Sequence, residues 1–131
     1  MIVVDTHIIV WDALAPEKLS KKAKAAIAEA DREDGILFCE ISLWEIAMML
    51  KKRRITLEST YAEFIKLVLA SKNYILRGMT PEIAELSTQL PEDFNKDPAD
   101  RIIAATSILS RVSLVTADRN LNSVDSLLTI W

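Results

Sequence analysis

Five carboxylates stand where apolar runs end or helices begin. Asp5 directly follows "IVV", and Glu45 is the only charged residue in "ISLWEIAMML" (41–50). Asp97 and Asp100 share the turn "KDPADR", and Asp118 lies just past "SLVT" (113–116). Each has an ordinary explanation on its own. Asp5 can cap a helix, Ser42 and Glu45 fit an S-x-x-E capping box, Asp97-Pro98 is a standard helix entry, and Asp118 can cap a turn in "TADRN". Capping does not explain why an otherwise apolar first run ends in an acid. Nor does it explain a lone Glu with apolar neighbours on both sides, because a partly buried charge is costly unless compensated.

Gathered in one place, these groups would repel one another, more strongly as the local dielectric falls. Two outcomes are physically sensible: some protonate, or a cation sits among them. An all-oxygen donor set, without thiolates or several imidazoles, favours magnesium or manganese over zinc. Such a centre polarises a phosphodiester, generates a nucleophile from water and stabilises the leaving oxygen. It would also let an anionic backbone approach an acidic protein. Other chemistries fit less well. One histidine, His7, excludes a two-histidine ribonuclease mechanism and reads as a packing or hydrogen-bonding residue beside Asp5. Two glycines cannot build a phosphate loop or a dinucleotide fingerprint, and no G-x-S-x-G is present. Cys39 lies in an apolar run and reads as core.

The elements that must position these acids follow from the apolar pattern. Runs at 2–4, 36–39, 74–76 and 113–116 read as strands, and "LLTIW" adds a last short one. Helices are expected over 8–14, 21–30 behind a Ser20 cap, 42–52, within 56–70, and over 80–90 and 98–110, with 91–97 as a loop. Strands alternating with helices imply an α/β fold with a parallel sheet covered on both faces. In such sheets ligands bind beyond the carboxyl ends of the strands. Asp5, Glu45, Asp100 and Asp118 all fall at strand ends or in helix first turns, so adjacent strands would bring them to one edge.

The chain of 131 residues fits one domain, 1–131, and being half hydrophobic it can bury a core. No apolar run approaches a membrane span, and the start, "MIVVDTHIIVW", does not read as a signal peptide. A single cysteine cannot form an internal disulfide, so a cytoplasmic setting is expected. The net charge of −3 gives no general attraction to nucleic acid, so a polyanion must be held by a local patch or through cations. The obvious patch is Lys51-Lys52-Arg53-Arg54, whose plainest role is to complement a helix C-terminus.

"VVDTHIIVWDAL", "ISLWEIAMMLKKRRITL", "LP…KDPADRIIAATS", "LVTADRNL" and the terminal "W" together resemble PIN domains, and within them the VapC-type toxins of toxin–antitoxin pairs. The likeness runs in order over nearly the whole chain. It implies a three-layer α/β/α fold with a central, mostly parallel five-stranded sheet. It implies a magnesium- or manganese-dependent endoribonuclease whose acids are Asp5, Glu45, Asp100 and Asp118. Asp5, Asp100 and Asp118 would hold metal, and Glu45 would position the attacking water or help hold it. By the family pattern the aspartate followed by "RIIAAT" is the ligand, which selects Asp100 and leaves Asp97 mainly to capping. Thr6 would orient Asp5, and Thr116 would support Asp118. The resemblance also implies an RNA substrate, a cognate antitoxin whose tail enters the acidic site, and a homodimer. The chain departs from the pattern in "PEDFNK", where histidine and arginine often precede the D-P, and at Ala99, where a large aromatic is common.

Two rivals remain open from the sequence. A non-catalytic PIN scaffold acting as a protein- or RNA-binding module needs none of the acids together. A phosphomonoesterase or phosphotransferase usually carries an acid two residues after its nucleophilic Asp, where "DTH" here supplies His7. The apolar segments 42–50 and 61–69 could serve a dimer or antitoxin groove, or simply the core.

Overall fold

In the computed structural model, which describes residues 1–131 apart from the side chains at 122 and 123, five short strands form one sheet in the order β3-β2-β1-β4-β5. They are β1 (Ile2–Val4), β2 (Ile36–Cys39), β3 (Tyr74–Arg77), β4 (Leu114–Val115) and β5 (Thr129–Ile130). Every pairing is parallel, with Val3 opposite Leu37 on one side of the central strand and opposite Leu114 on the other. Six helices cover the two faces: α1 (Thr6–Leu14), α2 (Lys21–Arg32), α3 (Glu40–Lys51), α4 (Tyr61–Ser71), α5 (Pro81–Gln89) and α6 (Pro98–Ser110).

The pleat sorts the strand residues between two cores. Ile2, Val4, Ile36, Phe38 and Val115 pack with Ile8, Ile9, Ile27, Ile46, Phe64 and Val68 on one face. Val3, Leu37, Cys39 and Leu114 pack with Leu90, Phe94, Ile103, Ala104 and Leu121 on the other. Strands buried on both faces need continuous apolar runs, which is what "IVV" and "ILFC" supply. Each such Val, Leu, Ile or Phe contributes about 1.5–3 kcal/mol on burial. Gly35 leads into β2 at φ +105°, where a side chain would strain the backbone, and a Cβ there would meet Ile75 Cδ1 at 2.7 Å.

Helix entries mostly follow their capping signals. Ser20, Thr60, Thr80 and Asp97 each accept a hydrogen bond from a first-turn amide. The expected capping box at Ser42 and Glu45 does not form. Helix α3 begins at Glu40, directly from β2, and its cap residue Cys39 makes no side-chain bond. Ser42 is therefore inside the helix and fully buried, and Glu45 lies in its second turn. The helix expected within 56–70 is α4, whose start Thr60 sets.

The strand order fixes where a site can lie. From β1 the chain moves out through β2 to β3, then returns across the sheet to β4 and β5 on the other side. The reversal opens a crevice beyond the carboxyl ends of β1 and β4, the usual position for ligands in open α/β sheets.

Candidate metal centre

Asp5 occupies that crevice at the end of β1. It is 7% exposed. Its Oδ1 accepts from the Ile8 amide at 3.1 Å, capping α1, and its Oδ2 accepts from the Thr116 hydroxyl. Burial raises its pKa, against the opposing effects of those two bonds. The Thr116 hydroxyl also accepts from the Asp118 amide at 3.0 Å. One buried side chain thus ties the acid after β1 to the acid after β4.

Glu45 reaches the same edge from α3. Its Oε1 accepts from the Thr6 hydroxyl, whose oxygen also lies 2.9 Å from the Ser42 hydroxyl. Burial raises the Glu45 pKa, with Asp97 and Asp5 adding to the rise. Thr6 was expected to orient Asp5. The structure gives it a different partner: the Thr6 backbone is the first residue of α1, and its side chain points across to α3 and holds Glu45 instead.

Asp100 lies in the first turn of α6, half-buried. Its pKa is pushed up to about 7, first by burial and then by Asp97, Glu45, Asp5 and Asp118 in turn. All four expected acids, and Asp97, are therefore close enough to share one field. Asp97 caps α6, its Oδ1 accepting from the Ala99 amide at 2.9 Å. It also belongs to the tightest acidic group: one carboxylate oxygen each from Glu45, Asp97 and Asp100 lies within 4.8 Å of the others. Asp118 caps the 3-10 turn Arg119–Ser123 through Oδ1.

Two residues that the sequence did not single out organise this edge. The Asn95 amide donates to Asp100 Oδ2 at 2.7 Å and to Asp118 Oδ2 at 3.0 Å, while its oxygen accepts from the Asp97 amide at 2.9 Å. Arg101 gathers the loop that presents Asn95. Its guanidinium donates to the backbone oxygens of Ser87, Leu90, Pro91, Phe94 and Asn95. The one available signal was an Arg directly after the acid in "DPADR", at the start of a helix, where a cation opposes the dipole. Satisfying five backbone carbonyls at the end of α5 and in the loop after it offsets that cost.

The donor chemistry fits a hard divalent cation. The converging atoms are carboxylate oxygens, and among the described residues the one salt bridge, Lys72–Asp12, lies elsewhere. Ligands held by hydroxyl and amide partners keep their orientation. His7 does not join the donor set; it is exposed and lies edge-on to Trp11 at 5.9 Å. A cleft of about 610 Å³ opens beside the acids, lined by Thr6, Trp44, Glu45, Lys52, Arg54 and Asp97 among others. A larger cavity of about 1010 Å³ next to it shares His7, Met49 and Arg54 but contains none of these carboxylates, whereas Glu45 and Asp97 line the smaller one.

A family model described as PIN domain matches residues 2–127. The sequence is 34% identical over 122 residues to Ribonuclease VapC22 of Mycobacterium tuberculosis (strain ATCC 25618 / H37Rv), covering 93% of this chain and 90% of that protein. The fold superposes on VapBC2 from Rickettsia felis bound to a DNA fragment from the promoter, with a TM-score of 0.73, 17% identity, and 98% and 97% of the two chains covered. A toxin–antitoxin complex from Klebsiella pneumoniae gives a TM-score of 0.67 at 20% identity, again covering 98% and 97%.

Proposed function

Because the chain belongs to the PIN domain family, on the VapC ribonuclease side of it, we propose that Asp5, Glu45, Asp100 and Asp118 form the centre of a magnesium- or manganese-dependent endoribonuclease. The protein is a PIN-domain ribonuclease of the toxin type. The observation that carries the reading is the convergence of these acids at the sheet's switch point, with oxygens of Glu45, Asp97 and Asp100 within 4.8 Å.

Asp5 and Asp100 would hold the principal cation, and Asp118 would hold it directly or through water. When bound, the cation supplies Lewis-acid polarisation of the phosphodiester and charge for the leaving oxygen. The remaining work falls to the chain. Thr116 fixes Asp5 and the Asp118 backbone, so two carboxylates keep one spacing. Thr6 holds one oxygen of Glu45 and leaves Oε2 to accept from the attacking water. Asn95 separates Asp100 from Asp118 with two N–H groups, which lowers their mutual repulsion. Asn95→Asp replaces a donor with a like charge. RNA cleavage by that variant is expected to fall about 10–100-fold, the usual effect of losing a partner that orients a metal ligand. Unchanged cleavage would remove Asn95 from the centre.

The other partners follow from the same family. The solved relatives are toxin–antitoxin complexes, which supports a cognate antitoxin as the regulator. Homodimerisation is part of the reading, with Trp44, Leu76 and Met79 as exposed apolar side chains available to it. Action in a reducing cytoplasm agrees with the single buried thiol of Cys39, which burial raises to about 11. No described helix is long and apolar enough to cross a membrane.

The direct test is cleavage of RNA with magnesium or manganese, comparing wild type with Asp5→Ala and Glu45→Ala prepared in parallel. Only the wild type should cut. Equal cutting by all three would trace the activity to a contaminant and end the assignment.

A further inference from the structure

Helix α5 carries no basic residue in its last turn and passes at Leu90 straight into extended backbone. Its final carbonyls therefore need donors from elsewhere. Arg101 supplies them from the start of α6: its Nε donates to Ser87 O at 2.9 Å and its Nη2 to Leu90 O at 2.6 Å. A cation at that end of α5 also complements its dipole. Stapling α5 to α6 needs no more than this, but the guanidinium goes further. Its Nη1 donates to Pro91 O at 3.3 Å, Phe94 O at 3.5 Å and Asn95 O at 3.2 Å, and its Cζ lies 5.8 Å from the centroid of the Phe94 ring. Phe94 is itself fully buried, in the core with Leu37 and Leu114. Asn95 follows directly. Its backbone oxygen rests on Arg101, and its side-chain amide on Asp100 and Asp118.

Where Arg101 does not point matters equally. Asp97 and Asp100 stand just before it, and a guanidinium beside carboxylates ordinarily forms a forked ion pair. Every hydrogen bond described for Arg101 goes instead to a backbone oxygen, and the described ion pair, Lys72–Asp12, lies elsewhere. A guanidinium among the acids would occupy their oxygens and repel a cation. Turned away, it leaves those oxygens free. We propose that Arg101 is a positioning residue for the acidic edge. It fixes the chain from Leu90 to Asn95 so that the Asn95 amide stands between Asp100 and Asp118, and this sets how tightly the edge holds a divalent cation. The inference rests on the metal-centre reading and gives Arg101 no contact with the cation or with RNA.

The test is manganese binding by isothermal titration calorimetry at one fixed pH, to the full chain as wild type, Arg101→Gln, Asn95→Ala and the double variant, each shown folded by circular dichroism. Arg101→Gln should weaken binding about 10–100-fold, the usual effect of losing an outer partner of a metal ligand. Asn95→Ala should do the same. The double variant should bind no more weakly than Asn95→Ala alone, because residues that act through one another do not add. Arg101→Lys covers the case in which Arg101→Gln fails to fold. It keeps the charge at the end of α5, but one nitrogen cannot serve five carbonyls, so folding should return with only part of the affinity. A second readout needs no cation: the NMR signal of the Asn95 side-chain amide in the chelated chain, which should move to the position of a free amide in Arg101→Gln. The role is overturned if Arg101→Gln lowers the melting temperature but leaves manganese affinity and the Asn95 signal unchanged. It is also overturned if the two losses add in the double variant, if Arg101→Lys restores full affinity, or if neither Arg101 variant folds. A wild-type chain that binds no manganese, with an Asn95 signal that still depends on Arg101, would fail the metal reading and keep the positioning. Manganese binding untouched by Arg101→Gln would do the reverse.

Discussion

Asp100→Asn should reduce RNA cleavage by about 10³-fold and, in the same protein, raise the melting temperature of the cation-free chain at pH 8. Loss of cleavage follows if Asp100 helps hold a cation that stabilises several kcal/mol of transition-state charge, since about 4 kcal/mol is a factor of 10³. The gain in stability follows from the acid's environment. Burial and four neighbouring carboxylates push its pKa up to about 7 from an ordinary 3.8. The folded state then binds more protons than the unfolded state between those values, so stability falls as pH rises through that window. Above it the ionised carboxylate costs the fold its full penalty, and a neutral amide removes it. Each kcal/mol relieved shifts the melting temperature by about 4 °C in a domain of this size. Activity and stability moving in opposite directions mark a functional residue rather than a structural one.

Asp97→Asn should behave differently, although Asp97 is in the same turn. The amide keeps an oxygen to accept from Ala99, so the cap on α6 survives. What is lost is one negative charge beside Asp100, where Asp97 is the largest contributor after burial. Cleavage should fall less than about tenfold. If Asp97→Asn abolishes cleavage and Asp100→Asn spares it, the ligand role passes to Asp97, which the 4.8 Å grouping with Glu45 allows geometrically.

The second large effect is on the whole fold. Asp5, Glu45 and Asp100 all have raised pKa values, with burial the leading cause in each. Each contributes in the same direction: without a cation, stability should decline as pH rises through the window that Asp100 sets, from about 4 to about 7. Manganese should reverse that decline. At a concentration one hundred times its dissociation constant it adds about 2.7 kcal/mol, or about 10 °C at pH 8. The gain should shrink toward pH 5, where protons compete for the same oxygens. Melting curves at both pH values, with manganese and with chelator, read this directly. No cation-linked rise at pH 8 would favour a scaffold that keeps the acids without using them.

How far the sequence carried depended on whether a signal was local. The strands were legible because a sheet covered on both faces demands unbroken apolar runs, and "IVV" and "ILFC" are such runs. Asp5 was legible as the acid that ends one of them. Asp97-Pro98 read as a helix entry, and the structure caps α6 in that way. The S-x-x-E at Ser42 misled because the same spacing arises inside a helix. Here β2 runs straight into α3, and Ser42 is consumed by a hydroxyl pairing with Thr6, 36 positions away. Long-range pairings of this kind leave no periodic trace. The Thr6–Glu45 bond, the Thr116 link between Asp5 and Asp118, and the Asn95 bridge all depend on strand order, which a one-dimensional pattern does not contain. Arg101 was hidden for a related reason: its partners are backbone oxygens, which carry no residue identity.

The most direct measurement is an anomalous difference map from crystals of the wild-type protein soaked in manganese at neutral pH. The expected result is a single strong peak at the switch point, with carboxylate oxygens of Asp5 and Asp100 at roughly 2.0–2.2 Å, the short range of small hard divalent cations. The same soak of Asp100→Asn should lose it. A peak away from these acids, or none at millimolar manganese with the cleft open to solvent, would contradict the assignment of this edge as a metal centre.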